Sequence, residues 1–370
     1  MSAGIAVLNF LLLIVGFVLL VVGSDMFVDG ASGIAKKLKV STFIIGATVV
    51  ALGTSAPEMA VTVISAVQGE SGLIVGNILG SNVINILLIL GISAVICKLP
   101  VEKTTRFIDL PFLILISALF VLFGTLGCSL QTVEGKLTLD GGAFSWWEGL
   151  ILLILYAGFM AYNIVLATKQ KKAVLEQAAA ISITDAQEDK QEEVPANWYG
   201  KFKVGYKKLQ QKTWFLIIIT IVGLGMVIGG AEAVVYSAQN IAEKLFKIPT
   251  EIVGLTVVAF GTSLPELVTS VSAARKGDVG IATGNIIGSN VANILLIGGL
   301  GAVCSGANGL PFTFEGLISG LVGLLAAIIL FSSCWGKTKS IGRAAGVIML
   351  VCLVSYYGVV LANAAYFHWY

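Results

Sequence analysis

A fifty-residue segment occurs twice in this chain. Residues 46–95 and 254–303 align without a gap at a constant offset of 208, with about 29 of the 50 positions identical. The first copy contains Gly53-Thr54-Ser55-Ala56-Pro57-Glu58 and, further on, Gly76-Asn77-Ile78-Leu79-Gly80-Ser81-Asn82-Val83-Ile84-Asn85. The second repeats them as Gly261-Thr262-Ser263-Leu264-Pro265-Glu266, then Gly284-Asn285 through Gly288-Ser289-Asn290 to Asn293. Shared apolar composition does not place two polar motifs in one register twice, so the segment is duplicated.

Each copy lies within long apolar runs. The chain has 370 residues, 57% hydrophobic and 12% charged, where soluble domains carry about 25% charged residues. This composition excludes a soluble multidomain enzyme. A net charge of +2 spread over so apolar a chain also excludes a disordered or nucleic-acid-binding protein. The runs predict ten membrane spans, at 6–34, 41–67, 72–97, 108–128, 147–168, 213–242, 249–274, 279–304, 313–334 and 342–366. The first has no basic residue before it and no small-residue cleavage site, so it is read as a retained span. The expected fold is therefore an all-α integral membrane protein, with a first five-helix unit at 1–168, a polar loop at 169–212 and a second unit at 213–370.

Basic residues set the orientation. With the N-terminus outside, 20 of the 23 Lys and Arg fall on the inner side; only Lys136, Lys244 and Lys247 fall outside. Both termini are expected outside and the 169–212 loop in the cytoplasm of a plasma (cell inner) membrane protein. Five spans per unit is an odd number, so the second copy enters the membrane from the opposite side. Similar halves then form an inverted repeat.

Within that frame Glu58 and Glu266 lie near mid-span, where an ionisable side chain is costly and reads as functional. No Lys or Arg occurs at comparable depth to pair with them. Pro57 and Pro265 lack an amide hydrogen and crowd the preceding turn, so each helix is expected to break or kink beside its acid. Broken helices face cavities, which makes the carbonyls of Ala51 and Ala259 candidate ligands. Thr54 shares a helical face with Glu58, and Thr262 with Glu266. Asn77, Ser81 and Asn85 share a face on the next span, as do Asn285, Ser289 and Asn293. Asn82 and Asn290 turn away, toward packing or helix–helix hydrogen bonds, while Gly76 and Gly80 leave room for close approach.

All these candidate ligands are oxygens. The single histidine, His368, is near the C-terminus, and the five cysteines are isolated, so imidazole and thiolate sites are not expected. Hard cations prefer such a set. Ca²⁺ takes about six to eight oxygens in flexible cages, and Mg²⁺ ranks lower because it sheds water reluctantly. Two carboxylates neutralise one Ca²⁺ or, with neutral oxygens, hold two or three Na⁺. Competition of the two loads for one charge is the physical basis of exchange.

At these residues the sequence resembles the sodium/calcium exchanger family, of the cation/calcium exchanger superfamily, in its prokaryotic form. The resemblance covers essentially the whole chain and rests on GTSAPE…GNILGSNVIN and GTSLPELVTS…GNIIGSNVAN. It implies a core of spans 2, 3, 7 and 8, with long tilted spans 1 and 6 sliding against it, and alternating access to one site. Carried over by motif, the ligands are Ala51, Thr54, Ser55, Glu58, Ser81 and Asn85 from the first copy, and Ala259, Thr262, Ser263, Glu266, Ser289 and Asn293 from the second. Some members, including potassium-dependent exchangers, carry Asp at the position of Asn293, so Asn resembles the potassium-independent type. The family usually moves three Na⁺ against one Ca²⁺; animal members carry calcium-sensing domains in the central loop, for which 169–212 has no room. No cofactor is implied, only the transported Ca²⁺ and Na⁺, and members can act as monomers.

The alternative is a proton/calcium antiporter whose glutamates bind H⁺ in place of Na⁺. A channel is disfavoured by interrupted helices in both halves. A membrane enzyme is disfavoured because GTSAPE has no base at depth. Asp25 and Asp29 on span 1, and Glu232 at the corresponding place on span 6, are read as interfacial, with ion entry as the other role. Glu188, Asp189, Glu192 and Glu193 read as a solvated acidic run, Trp198–Lys203 as a segment resting on the inner leaflet, and Trp146, Trp147, Trp214, Trp335 and Trp369 as belt residues.

Overall fold

The computed structural model describes residues 3–68, 72–133, 136–181, 209–246, 259–306, 309–335 and 339–362. The central-loop segment 182–208, the first part of the expected seventh span (249–258) and Trp369 lie outside the described residues.

In lipid every backbone polar group is satisfied internally, and apolar runs of this length do so as helices. The helices are α1 (Ala3–Leu38), α2 (Thr42–Thr54), α3 (Ala56–Gln68), α4 (Ile74–Ile96), α5 (Thr105–Thr125), α6 (Trp146–Ile181), α7 (Thr213–Asn240), α8 (Ala259–Thr262), α9 (Leu264–Lys276), α10 (Val279–Cys304), α11 (Phe314–Ser333) and α12 (Arg343–Ala362). Among the described residues, eight are long and apolar enough to cross a membrane, and α2 with α3 makes a ninth, bent by 46°. The chain is thus an all-helical, multi-pass membrane protein.

Burial separates the helices by role. In α4 and α10, 78% and 83% of the apolar window is buried, against 17% in α1, α6 and α12. α4 and α10 are therefore central. Ile78, Ile86 and Leu90 meet Ile286, Val291 and Leu295 in one apolar core. α1 and α7 form a close antiparallel pair. A Cβ on Gly16 would lie 3.0 Å from the Gly230 carbonyl, and one on Gly23 would lie 2.9 Å from that of Gly223.

Three small antiparallel strand pairs close the ends. β1 (Leu99–Pro100) pairs with β6 (Ser340–Ile341), β2 (Ser129–Val133) with β3 (Lys136–Asp140), and β4 (Ala143–Phe144) with β5 (Leu310–Pro311). β1 follows α4 and pairs just before α12; β5 follows α10 and pairs just before α6. These pairs are local additions to the all-helical fold.

One boundary differs from expectation. α6 continues to Ile181, past the expected end of its span at 168. Lys169–Lys172 ends the apolar run, but Lys, Gln and Ala are good helix formers, so the helix outlasts the membrane-type sequence. α6 begins on a capping contact: the Glu148 carboxylate accepts the Ser145 amide at 2.7 Å.

Candidate functional site

The helix breaks fall at Ser55 and Ser263, two residues before each proline. Their backbones agree closely, with φ −85°, ψ 8° and φ −89°, ψ 3°. The proline then sits in the first turn of α3 or α9, where a missing amide hydrogen costs nothing. The break does not leave the Ala51 carbonyl unbonded. It accepts the Ser55 amide at 3.0 Å and the Thr54 hydroxyl at 3.3 Å, and Ala51 is buried. A second pair of matched irregularities follows. Wide π-type turns at Ile84–Leu90 and Ala292–Ile297 hold Asn85 and Asn293 in the two copies. Such turns often mark functional positions.

Hydrogen bonds draw these elements together. The Ser55 hydroxyl donates to Glu266 Oε1 at 2.8 Å, joining the first break to α9. Thr54 donates to Asn285 Oδ1 at 3.1 Å, and Asn285 Nδ2 donates to Ser270 Oγ at 2.9 Å, linking the same break to α10 and α9. Asn293 Nδ2 donates to Asn82 Oδ1 at 3.1 Å, linking α10 to α4. Thr54, Ser55, Glu58, Ser81, Asn85, Ser263, Glu266, Ser289 and Asn293 are all buried, and Thr262 is half-buried. Ala259 opens α8, the residue at which the described chain resumes.

Much of this polar cluster has no protein partner. Glu58 Oε2, Glu266 Oε2, Ser81 Oγ, Ser289 Oγ, Thr262 Oγ1, Ser263 Oγ, Asn293 Oδ1 and both amide atoms of Asn85 are buried without a hydrogen bond. Buried polar atoms are nearly always paired, because stripping water from one without replacement costs about 1–3 kcal/mol. These orphaned atoms, nearly all oxygens, belong to the two carboxylates and to neutral hydroxyl and amide groups of the same motifs. Among the described residues no group of three or more His, Cys, Asp or Glu forms a metal cluster, so neutral oxygens make up most of the set.

Two hydroxyls join the cluster without a place in the sequence reading. Thr62, four residues after Glu58, and Thr269, three after Glu266, are fully buried with unpartnered hydroxyls. Their spacing puts them on the acids' helical faces, and that is the available signal. Asn285 bonds both Thr54 and Ser270, so it ties the first break to α9. Asn290 donates to its own helix at Ile286, and with Asn82 it lines a small cavity against α5 and α11. Asn82 thus makes a helix–helix bond to Asn293, whereas Asn290 bonds within its own helix and its Oδ1 has no partner.

Asp25 and Asp29 belong to a separate cluster at the end of α9. Lys276 Nζ lies 2.7 Å from Asp29 Oδ1 and 3.5 Å from Asp25 Oδ1. Ser272 donates to Asp25, and Ser32 donates to Asp278 at 2.9 Å. These contacts tether α1 to α9. Glu232, the counterpart of Asp25 on α7, is exposed.

A multi-pass membrane transporter is the class this helical framework defines, and the comparisons with known proteins narrow it. The chain belongs to the sodium/calcium exchanger family: the model described as sodium/calcium exchanger protein matches residues 8–165 and 215–362. Sodium/calcium exchanger MaX1 of Methanosarcina acetivorans is 32% identical over 297 residues, covering 79% of this chain and 82% of that one. Inner membrane protein YrbG of Escherichia coli is 32% identical over 338 residues, covering 91% and 92%. A solved structure of the sodium-calcium exchanger NCX_Mj, soaked with Na⁺ and Sr²⁺, superposes with a TM-score of 0.72 at 29% identity, covering 97% of this chain and 99% of that one. The family is one of transporters, not enzymes.

Proposed function

We propose that this protein is a secondary antiporter that exchanges Na⁺ for Ca²⁺ across the membrane at one midplane site. The observation that carries the reading is the set of buried, unpartnered oxygens around Glu58 and Glu266. Ala51, Thr54, Ser55, Glu58, Ser81 and Asn85 would hold the ions together with Ala259, Thr262, Ser263, Glu266, Ser289 and Asn293. Two carboxylates neutralise Ca²⁺ when its hydration is replaced by the cage, and they do the same for Na⁺ ions sharing the neutral oxygens. An unloaded site leaves two acids buried side by side without a cation, which is costly. Release of one load is thereby tied to uptake of the other.

The architecture proposed for this work is ten spans in two inverted five-helix units, 1–168 and 213–370, joined by the 169–212 loop. It is supported by the antiparallel packing of α1 on α7, by matched breaks at Ser55 and Ser263, and by strand pairs that join equivalent ends of the two halves. α1 and α7 would slide against α2–α4 and α8–α10 to open the site to either side in turn. Basic residues favour both termini outside and the loop in the cytoplasm of the plasma (cell inner) membrane. A single chain contains both halves of the site, so a monomer suffices. Asn293, in place of an acid, favours operation without K⁺.

The test is flux in proteoliposomes. An outward Na⁺ gradient is expected to drive ⁴⁵Ca²⁺ uptake, unchanged by K⁺. Uptake that ignores Na⁺ and follows a pH gradient would assign the protein to H⁺/Ca²⁺ exchange instead.

A further inference from the structure

Asp109 and Glu148 are acids buried away from the exchange site, and Glu148 is used in the α6 cap. Asp109, near the start of α5, is 2% exposed, and its Oδ2 has no hydrogen-bond partner. Arg106, one turn earlier, does not pair with it. That guanidinium lies over the rings of Phe107 and Trp335, at 4.7 and 5.7 Å, and donates to the Cys334 carbonyl at 3.5 Å. Asp109 instead lines a cavity of about 390 Å³ between α5 and α6, in company with Tyr162, whose hydroxyl is also buried and unpartnered. The remaining walls are apolar. Phe112 and Phe159 stack there with centroids 5.8 Å apart and planes 4° from parallel. Ile108 and Ile154 also line the cavity and are 48% and 69% exposed on the outer surface of the helices.

We propose that this cavity binds a hydrophobic amine from the bilayer, its ammonium group on Asp109 and Tyr162 and its apolar body between α5 and α6. The volume is within the range of small-molecule sites, about 300–1,000 Å³. A lone buried carboxylate favours a cation, and aromatic walls add cation–π attraction. A bare metal ion does not fit, because two polar groups cannot replace the six or more oxygens of a hydration shell. A zwitterionic headgroup fits less well, because among the described residues no basic side chain lines the cavity to take its phosphate. A proton alone would satisfy the acid but leave the apolar volume empty. The site does not use Glu58 or Glu266 and stands apart from the exchange reading.

The experiment is binding of radiolabelled dodecylamine to the full chain in phosphatidylcholine nanodiscs, with empty discs subtracted. Saturable binding of one amine per chain is expected, not displaced by dodecanol, which has the same tail and no charge. Asp109→Asn removes the charge. Gly158→Leu fills the cavity from its wall, since a Cβ there meets nothing within 4 Å. Each is expected to weaken binding by about tenfold or more, a loss of at least ~1.4 kcal/mol. Should one variant fail to elute as a folded species, the other decides. Glu58→Gln is expected to leave binding intact. Discs doped with phosphatidylethanolamine separate the sources: displacement assigns the ammonium to a membrane lipid, and its absence assigns it to free amines. Binding that never saturates, that dodecanol displaces, that survives both cavity variants or that is lost in Glu58→Gln overturns the proposal.

Discussion

The two copies of the repeated motif carry almost the same side chains in two different packings. On α10, Gly284, Asn285 and Gly288 are buried against α2. A Cβ on Gly288 would lie 2.5 Å from the Ala47 carbonyl, and one on Gly46 would lie 2.9 Å from that of Ile281. On α4, the equivalent Gly76 is exposed, Asn77 and Gly80 are half-buried, and a Cβ on either glycine meets nothing within 4 Å among the described residues. The tether repeats the imbalance. Lys276 binds α1 through Asp25 and Asp29, whereas the equivalent position in the first copy is Gln68. The segment that would correspond to 42–50 in the second copy, 250–258, lies outside the described residues, so the difference is one between the described neighbours of α10 and of α4. In the inverted-repeat arrangement proposed above, the two halves would exchange such packings during the cycle.

The comparison is most easily broken at the acids. Glu58→Gln and Glu266→Gln are each expected to reduce Na⁺-driven ⁴⁵Ca²⁺ flux by about 100-fold or more, since stripping one partner from a buried charge interaction costs ~3–5 kcal/mol. Full flux in either variant removes the site assignment. Next is Gly80→Val. A Cβ on Gly80 meets nothing within 4 Å among the described residues, so thermal stability in detergent should hold, and flux falls by about tenfold or more if α4 must pack during the cycle as α10 does here. Normal flux would show that α4 never does so. Gly288→Val meets the Ala47 backbone at once, so it is expected to destabilise the fold by about 1–3 kcal/mol, seen as a lowered Tm. An unchanged Tm would contradict the tight α2–α10 contact. The smallest effect belongs to Lys276→Gln, which makes the tether resemble the first copy. A partly exposed ion pair is worth ~0.2–1 kcal/mol, so apparent Ca²⁺ affinities at the two membrane faces should shift in opposite directions by no more than about fivefold. Equal shifts at both faces would remove the tether's bearing on which side is open.

What the sequence disclosed, it disclosed through cost. Glu58 and Glu266 stand out because a mid-span acid needs a purpose, and their recurrence at one offset supplies the second reading. Helix existence follows from apolar length. Pro57 and Pro265 announce the breaks, but these fall at the preceding serines, since a proline is harmless in the first turn of the next helix. The end of α6 at Ile181 is hidden from hydropathy, which reports lipid and not helix. The Asp29–Lys276 contact joins residues far apart in the chain, and no local pattern announces such a pair. Asp109 has no duplicate to amplify its signal. Much of the candidate ligand set rests on family resemblance: spacing alone points to Thr54, Asn77, Ser81 and Asn85 with their counterparts Thr262, Asn285, Ser289 and Asn293, while Ser55 is visible only through the motif and then through its bond to Glu266.

The short strand pairs bear on how the chain is made. β1, emerging after α4, has no partner until β6 is synthesised just before the last helix, and β4 must wait for β5. Neither seam can close while the ribosome is still working through the first half. Separate halves expressed alone would each expose two unpaired strands and the end of a central helix. Closing the seams therefore waits for the second half of the chain, and co-expressed halves should rescue one another where either alone is degraded.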